Sequence, residues 1–197
     1  ISPTPEVLAY AGAARKCAGF IILTASHNPI GHNGVKFGFS DGRVAGGSSV
    51  ALAANRLREL LASPEALAPV LASSRREAGV GQLVAGRPLF KGEAEEAYRG
   101  KVIETLLRSS PGEYGGGLLE RLETALRSEP LGIVIDFNGS ARAASIDVEL
   151  LSSIGLRVET INATPGEIAH TIVPEGVGLE ACKDALTEAH RRDPAFR

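Results

Sequence analysis

The strongest constraint on the fold is a change of pattern between residues 19 and 40. Gly19 to Ala25 is dense in Phe, Ile and Leu with no helical period, so it reads as a buried strand that ends abruptly at Ser26. The stretch from Ser26 to Gly34 holds Asn28-Pro29, Gly31 and Asn33-Gly34, all turn signals. Val35, Phe37 and Phe39 then alternate with Lys36, Gly38 and Ser40, which predicts a second strand closed by Asp41-Gly42. A serine at the end of a rigid strand, opening a folded-back loop, stands where it can meet a ligand.

Helical grammar surrounds this pair. Thr4-Pro5-Glu6 reads as cap, first position and first-turn acid of a helix running to about Cys17, with Val7, Leu8, Ala11 and Ala14 on one face. Ser48 is expected to cap a helix carrying Val50, Ala54, Leu57 and Leu61, and Ser63-Pro64-Glu65 starts another. Gly79 to Lys91 is Gly-rich and weakly strand-like, after which Ala94, Tyr98, Val102 and Leu106 recur every four residues. Ser109-Ser110-Pro111-Gly112 and Gly115-Gly116-Gly117 break the pattern and suggest a boundary between residues 1–112 and 113–197. Beyond it the order is helix at Leu118 to Leu126, strand at Gly132 to Phe137, helix at about Ala143 to Ile154 stopped by Gly155, strand at Leu156 to Ile161, and a final helix from Leu179 to His190. The βαβ order favours parallel strands. The fold class expected is α/β, with layered α/β domains whose sheets are mixed or mostly parallel.

Composition narrows the functional classes. With 44% hydrophobic residues in a chain of 197, disorder is excluded. No apolar run approaches the roughly 18 residues of a membrane-spanning helix, the longest being about Ala18 to Ala25, so no membrane role is expected. A net charge of −2 with scattered basic residues gives no footprint for a phosphate backbone, so nucleic acid is not an expected partner. Cys17 and Cys182 form no metal or redox motif, which fits a reducing cytoplasm. The chain has no methionine and opens at Ile1, so it is expected to be a fragment of a longer parent.

The chemistry concentrates in Thr24-Ala25-Ser26-His27-Asn28-Pro29-Ile30-Gly31-His32-Asn33-Gly34-Val35-Lys36. A serine, an adjacent imidazole and an ammonium ten positions on can form a nucleophile with electrostatic support. A phosphorylated serine would carry about −1.5 to −2 charges, which His27 and Lys36 could offset. Residue types and spacing leave a second reading open, in which Ser, His and Asn only cap the loop. A serine-hydrolase elbow does not fit, because it needs glycine two residues on either side of the serine and Thr24 and Asn28 stand there. Asp136 reads as a strand-end cap, His170 as a surface-loop histidine, and His32 as a turn residue. His190 with Arg191 and Arg192 complements a helix C-terminus.

The run T-A-S-H-N-P followed by N-G-V-K resembles the active-site signature of the α-D-phosphohexomutase superfamily, the phosphoglucomutase and phosphomannomutase enzymes. Pro3-Thr4-Pro5 resembles the helix start before that motif, and Gly132 to Asp136 with Asn138-Gly139-Ser140 resembles the opening of a second domain. The resemblance implies the latter part of domain one and the first part of domain two of a four-domain enzyme. It implies that Ser26 is a phosphoserine passing its phosphoryl group to a hexose phosphate through a bisphosphorylated sugar, with hexose 1,6-bisphosphate as activator. His27 would contact the phosphoryl group, Lys36 would assist proton transfer or stabilise charge, and Thr24, Asn28, Pro29, Asn33 and Gly34 would shape the loop. Mg²⁺ would be bound by Ser26 through its phosphate together with an aspartate-rich D-G-D-G-D-R loop, which this sequence lacks. The motifs G-E-x-S-G and R-x-S-G-T are absent too, so the remaining domains of the parent are expected partners and the chain alone is expected to be inactive. Two rivals remain: a non-catalytic sugar-phosphate-binding or scaffold module, and a phosphoglucosamine mutase.

Overall fold

The structure, a computed structural model, describes residues 1–13, 17–24, 31–74, 80–108, 117–171 and 179–197. The chain divides into two compact units, one formed by Val7–Ala94 and the other by Ile1–Glu6 with Glu95–Arg197. The glycine-rich break on which the boundary at residue 112 was drawn lies, apart from Gly117, outside the described residues.

In the first unit, β1 (Gly19–Thr24) and β2 (Gly34–Phe39) pair antiparallel from Gly19↔Phe39 to Thr24↔Gly34. Phe20 and Ile22 are buried against Val7, Leu8 and Ala11 of α1 (Thr4–Ala13). Residues two apart in a strand share a face, so Ile21 and Leu23 point the other way and are 73% and 76% exposed. The expectation of a buried strand therefore holds for one face only. An unbroken apolar run signals cover on both faces, and among the described residues α1 supplies a core on one.

Phe20 stands opposite Gly38 in the register, and a Cβ at Gly38 would run into its ring and into the Arg43 carbonyl. Only a residue without a side chain fits there. The turn after β2 is the one anticipated at Asp41-Gly42: Gly42 has φ +81°, and its N–H donates to the Phe39 carbonyl at 3.1 Å.

The helix α2 (Gly47–Ala62) is capped by Gly46, whose extended backbone accepts from the Val50 N–H at 3.0 Å, so Ser48 lies inside the first turn rather than capping it. Ser63 does cap α3 (Pro64–Ser74), its Oγ accepting from the Ala66 N–H at 3.2 Å. The weakly strand-like reading of Gly79 to Lys91 is overturned by α4 (Val80–Ala85) and α5 (Arg87–Arg108). Bonds from the Gly86 N–H to Gln82 and from the Phe90 N–H to Gly86 carry helical spacing through the glycine. Gly92 and Gly100 cost a helix about 1 kcal/mol each, but the Glu, Ala, Lys, Arg and Leu residues around them are strong helix formers.

In the second unit, α6 (Leu118–Ser128) leads into β3 (Gly132–Asp136), which pairs in parallel with β4 (Arg157–Ile161) from Gly132↔Arg157 to Asp136↔Ile161. This is the parallel pairing expected from the βαβ order. The single helix expected between the strands is instead a 3₁₀ turn at Ala141–Ala144 and α7 (Asp147–Ser153). The break is at Ser145, which is extended and donates its hydroxyl to the fully buried Glu6 carboxylate at 2.7 Å. Across the strands lies α8 (Glu180–Arg192). After it the chain returns along β3, where the Gly132 N–H donates to the Ala195 carbonyl at 2.7 Å and the Phe196 ring covers Gly132. Leu126, Phe137, Ile146, Ala189 and Phe196 are this unit's buried apolar residues, with Ala195 beside them.

Candidate functional site

The signature loop leaves β1 at Thr24 and re-enters β2 at Gly34, and these two residues are the last pair of the hairpin. The loop is therefore tethered at both ends by one rigid ladder. Thr24 and Gly34 are half-buried, while Gly31, His32 and Asn33 are exposed, with Gly31 at φ +93°. A Cβ at Gly34 would sit 3.3 Å from the Thr24 carbonyl oxygen, so glycine lets the two strands close tightly at the loop's base. Ser26, His27, Asn28 and Pro29 lie outside the described residues.

Lys36 is half-buried and pairs with Ile22, so its side chain leaves the face that carries Phe20, Ile22 and Thr24. This is the opposite face from Val35 and Phe37, as their alternation predicted. Two residues of strand, about 7 Å at the usual rise, separate Lys36 from Gly34. A flexible four-carbon stem lets the ammonium lie along that distance toward the base of the loop.

Residues 1–59 match the family described as phosphoglucomutase/phosphomannomutase, alpha/beta/alpha domain I. The match supports a likeness of the N-terminal region to the phosphohexomutases. The match contains α1, the β1–β2 hairpin, the whole signature loop and most of α2. No curated protein matches the chain.

A Mg²⁺ site of the kind implied for phosphohexomutases needs several carboxylates converging on one point. Among the described residues there is no group of three or more His, Cys, Asp or Glu side chains able to hold a metal ion. Among the described residues, no helix is long and apolar enough to cross a membrane.

Sequence reasoning missed a second polar constellation, in the unit that holds β3 and β4. Asp136 ends β3, and its side chain is only 9% exposed. One carboxylate oxygen accepts from the Asn138 N–H at 2.9 Å and the Asn162 amide at 3.1 Å, and the other lies 2.6 Å from His170 Nε2. Asp136 is thus the expected strand-end cap, but His170 is tied to it rather than being a free surface-loop histidine. Burial pushes the Asp136 carboxyl up, but the hydrogen bonds from His170, Asn162 and Asn138 outweigh it and hold the group below the usual carboxylate range. The bond to Asp136 raises His170 above its ordinary value, aided by the Thr171 carbonyl and opposed by burial. Asn138 and Asn162 both have positive φ, at +42° and +52°, and the turn dipeptide Asn138-Gly139 is the sequence signal that was available. Asparagine tolerates that conformation better than other side chains do.

Proposed function

We propose that this chain is part of a phosphohexomutase, with residues 1–112 the latter part of domain one and 113–197 the first part of domain two, in which Ser26 carries the phosphoryl group. The observation that supports this most is the family match across residues 1–59, because it contains the contiguous T-A-S-H-N-P and N-G-V-K elements. The hairpin adds a physical reason: a loop pinned at Thr24 and Gly34 offers a reacting hydroxyl from a fixed base.

In this reading the phosphorus–oxygen bond of phosphorylated Ser26 breaks as a hydroxyl oxygen of the hexose monophosphate bonds to phosphorus. The sugar becomes a bisphosphate, and the serine oxygen is free to take back the other phosphoryl group. Lys36 assists proton transfer or offsets charge on the transferring group, and His27 contacts it. The substrate is a hexose 1- or 6-phosphate, glucose or mannose, in a reducing cytoplasm, and turnover requires the remaining domains of a full-length parent.

The test is the intact mass of the full-length parent, with peptide mapping across Gly19 to Lys36, before and after incubation with glucose 1,6-bisphosphate. One phosphoryl group gained at Ser26, and none in Ser26→Ala, is the expected result. A folded parent that gains none at Ser26 would instead support the non-catalytic sugar-phosphate-binding module.

A further inference from the structure

The network around Asp136 does more than end a strand. The segment after β4 folds back onto the turn that follows β3: the Gly139 N–H donates to the Asn162 carbonyl at 2.9 Å, and the Gly166 N–H donates to the Gly139 carbonyl at 2.7 Å. The Asn138 side chain then holds the far end of the segment. Its amide nitrogen donates to the His170 carbonyl at 2.9 Å, and its oxygen accepts from the N–H groups of Ala169 and His170 at 2.9 and 3.1 Å. These bonds are neutral and indifferent to pH. The bond between Asp136 and His170 differs, because both partners titrate.

Both ring nitrogens of His170 face acceptors. Nε2 is 2.6 Å from the Asp136 carboxylate, and Nδ1 is 3.3 Å from the Thr171 carbonyl. A neutral imidazole carries one N–H and must leave a lone pair against one of those oxygens, whereas the imidazolium donates to both. The geometry therefore suits the charged ring.

We propose that Asp136 and His170 form a pH-responsive latch, holding residues 162–171 against the turn at Asn138 and Gly139. The segment it holds lines a cavity of about 240 Å³ formed by Asn162, Thr164, Glu167, Ile168 and Ala169. This position, outside the carboxyl ends of two parallel strands, is where α/β sheets admit ligands. Among the described residues, β3 supplies the charged partner Asp136, the turn and the end of β4 supply the neutral amides of Asn138 and Asn162, and the loop's own Glu167 is exposed.

The sign of the response follows from the two shifts. His170 is raised, so its contribution is complete below the ordinary histidine value of 6.5 and is lost as pH rises through the folded value. Asp136 is lowered, so its contribution is present above the ordinary 3.8 and is lost as pH falls through the folded value. The latch is closed between those limits and loosens on either side.

The experiment is an NMR titration of the 197-residue chain, following the His170 ring and the exchange of the Ala169 and His170 amides corrected for intrinsic rate. The expected result is a His170 midpoint above about 6.5, with protection of both amides falling several-fold as pH rises through it. Asp136→Asn should return the midpoint toward the ordinary value and flatten the protection, while the Gly166 amide, bonded to Gly139, reports that the turn is intact. His170→Gln should retain a donor to Asp136 and give protection that no longer changes with pH near neutrality. A wild-type midpoint at or below the ordinary value, wild-type protection that ignores pH, or a midpoint unmoved in a folded Asp136→Asn would each overturn the latch. Should Asp136→Asn lose the turn, the wild-type titration and His170→Gln decide.

Discussion

Adding one methyl group at Gly132 tests whether the Phe196 ring seals the β3–β4 sheet. A Cβ built there would lie 2.6 Å from both Cδ atoms of a ring that is only 4% exposed, far inside ordinary contact distance. A ring buried between a strand and its own backbone has little room to retreat, and overpacking of this kind costs about 1–3 kcal/mol. Replacing glycine also removes freedom from the unfolded chain, which returns about 0.4–1 kcal/mol. Gly132→Ala should therefore lose roughly 1–2 kcal/mol net. The decisive comparison is the same change in Phe196→Ala, itself about 3–5 kcal/mol less stable than wild type. With the ring gone, Gly132→Ala should be neutral or slightly stabilising. Urea unfolding followed by far-UV circular dichroism gives the four stabilities, and amide exchange across Ile133 to Asp136 assigns them to this sheet. An equal loss in both backgrounds would refute the argument, since it would place the cost in the Gly132 backbone rather than in the ring.

Two further outcomes follow from single side chains. In the full-length parent, Lys36→Ala should lower phosphohexomutase turnover by at least tenfold with a much smaller change in melting temperature; steady-state kinetics and a thermal melt on one preparation check this, and a loss of fold without a separable kinetic effect would contradict it. Ser63→Ala removes the side-chain cap of α3 and should cost about 1 kcal/mol, read by denaturant unfolding, with Ser63→Asp restoring most of it.

The elements most legible in the sequence were those where local pattern and tertiary role agree. The hairpin was readable because Gly31 and Asp41-Gly42 sit where the backbone turns, and the alternation of Val35, Lys36 and Phe37 matches their faces in the register; Asn33-Gly34, read as a turn, instead leads into β2, whose first residue is Gly34. The parallel pair was readable because two short apolar runs flank a helical one. What failed had a physical cause in each case. Gly81 and Gly86 helped make Gly79 to Lys91 read as weakly strand-like, but cooperative hydrogen bonding through Gly86 and strong neighbouring helix formers outweighed them. The interruption at Ser145 depends on its bond to Glu6, far away in sequence, which no local window contains. Of the site, the side from which Lys36 projects followed from strand period, while Gly34, read as the last loop residue, is the first of β2 and pairs with Thr24. The pairing of Asp136 with His170 did not, because it depends on a long loop whose path is set by Asn138.

The turn at Asn138 has one more consequence, for how the protein ages. Asparagine followed by glycine is the pair most prone to deamidation, in which the glycine nitrogen attacks the asparagine side chain and closes a succinimide ring. The sequence contains two such pairs, Asn33-Gly34 and Asn138-Gly139. At the second, the Gly139 nitrogen is engaged with Asn162 and the Asn138 amide is held at both its oxygen and its nitrogen, so the ring closure must first break those bonds. Asn33 is exposed at the end of the signature loop. Two identical dipeptides therefore have different chemical lifetimes, and stored protein should gain its first negative charge at residue 33, next to the segment proposed to carry phosphate.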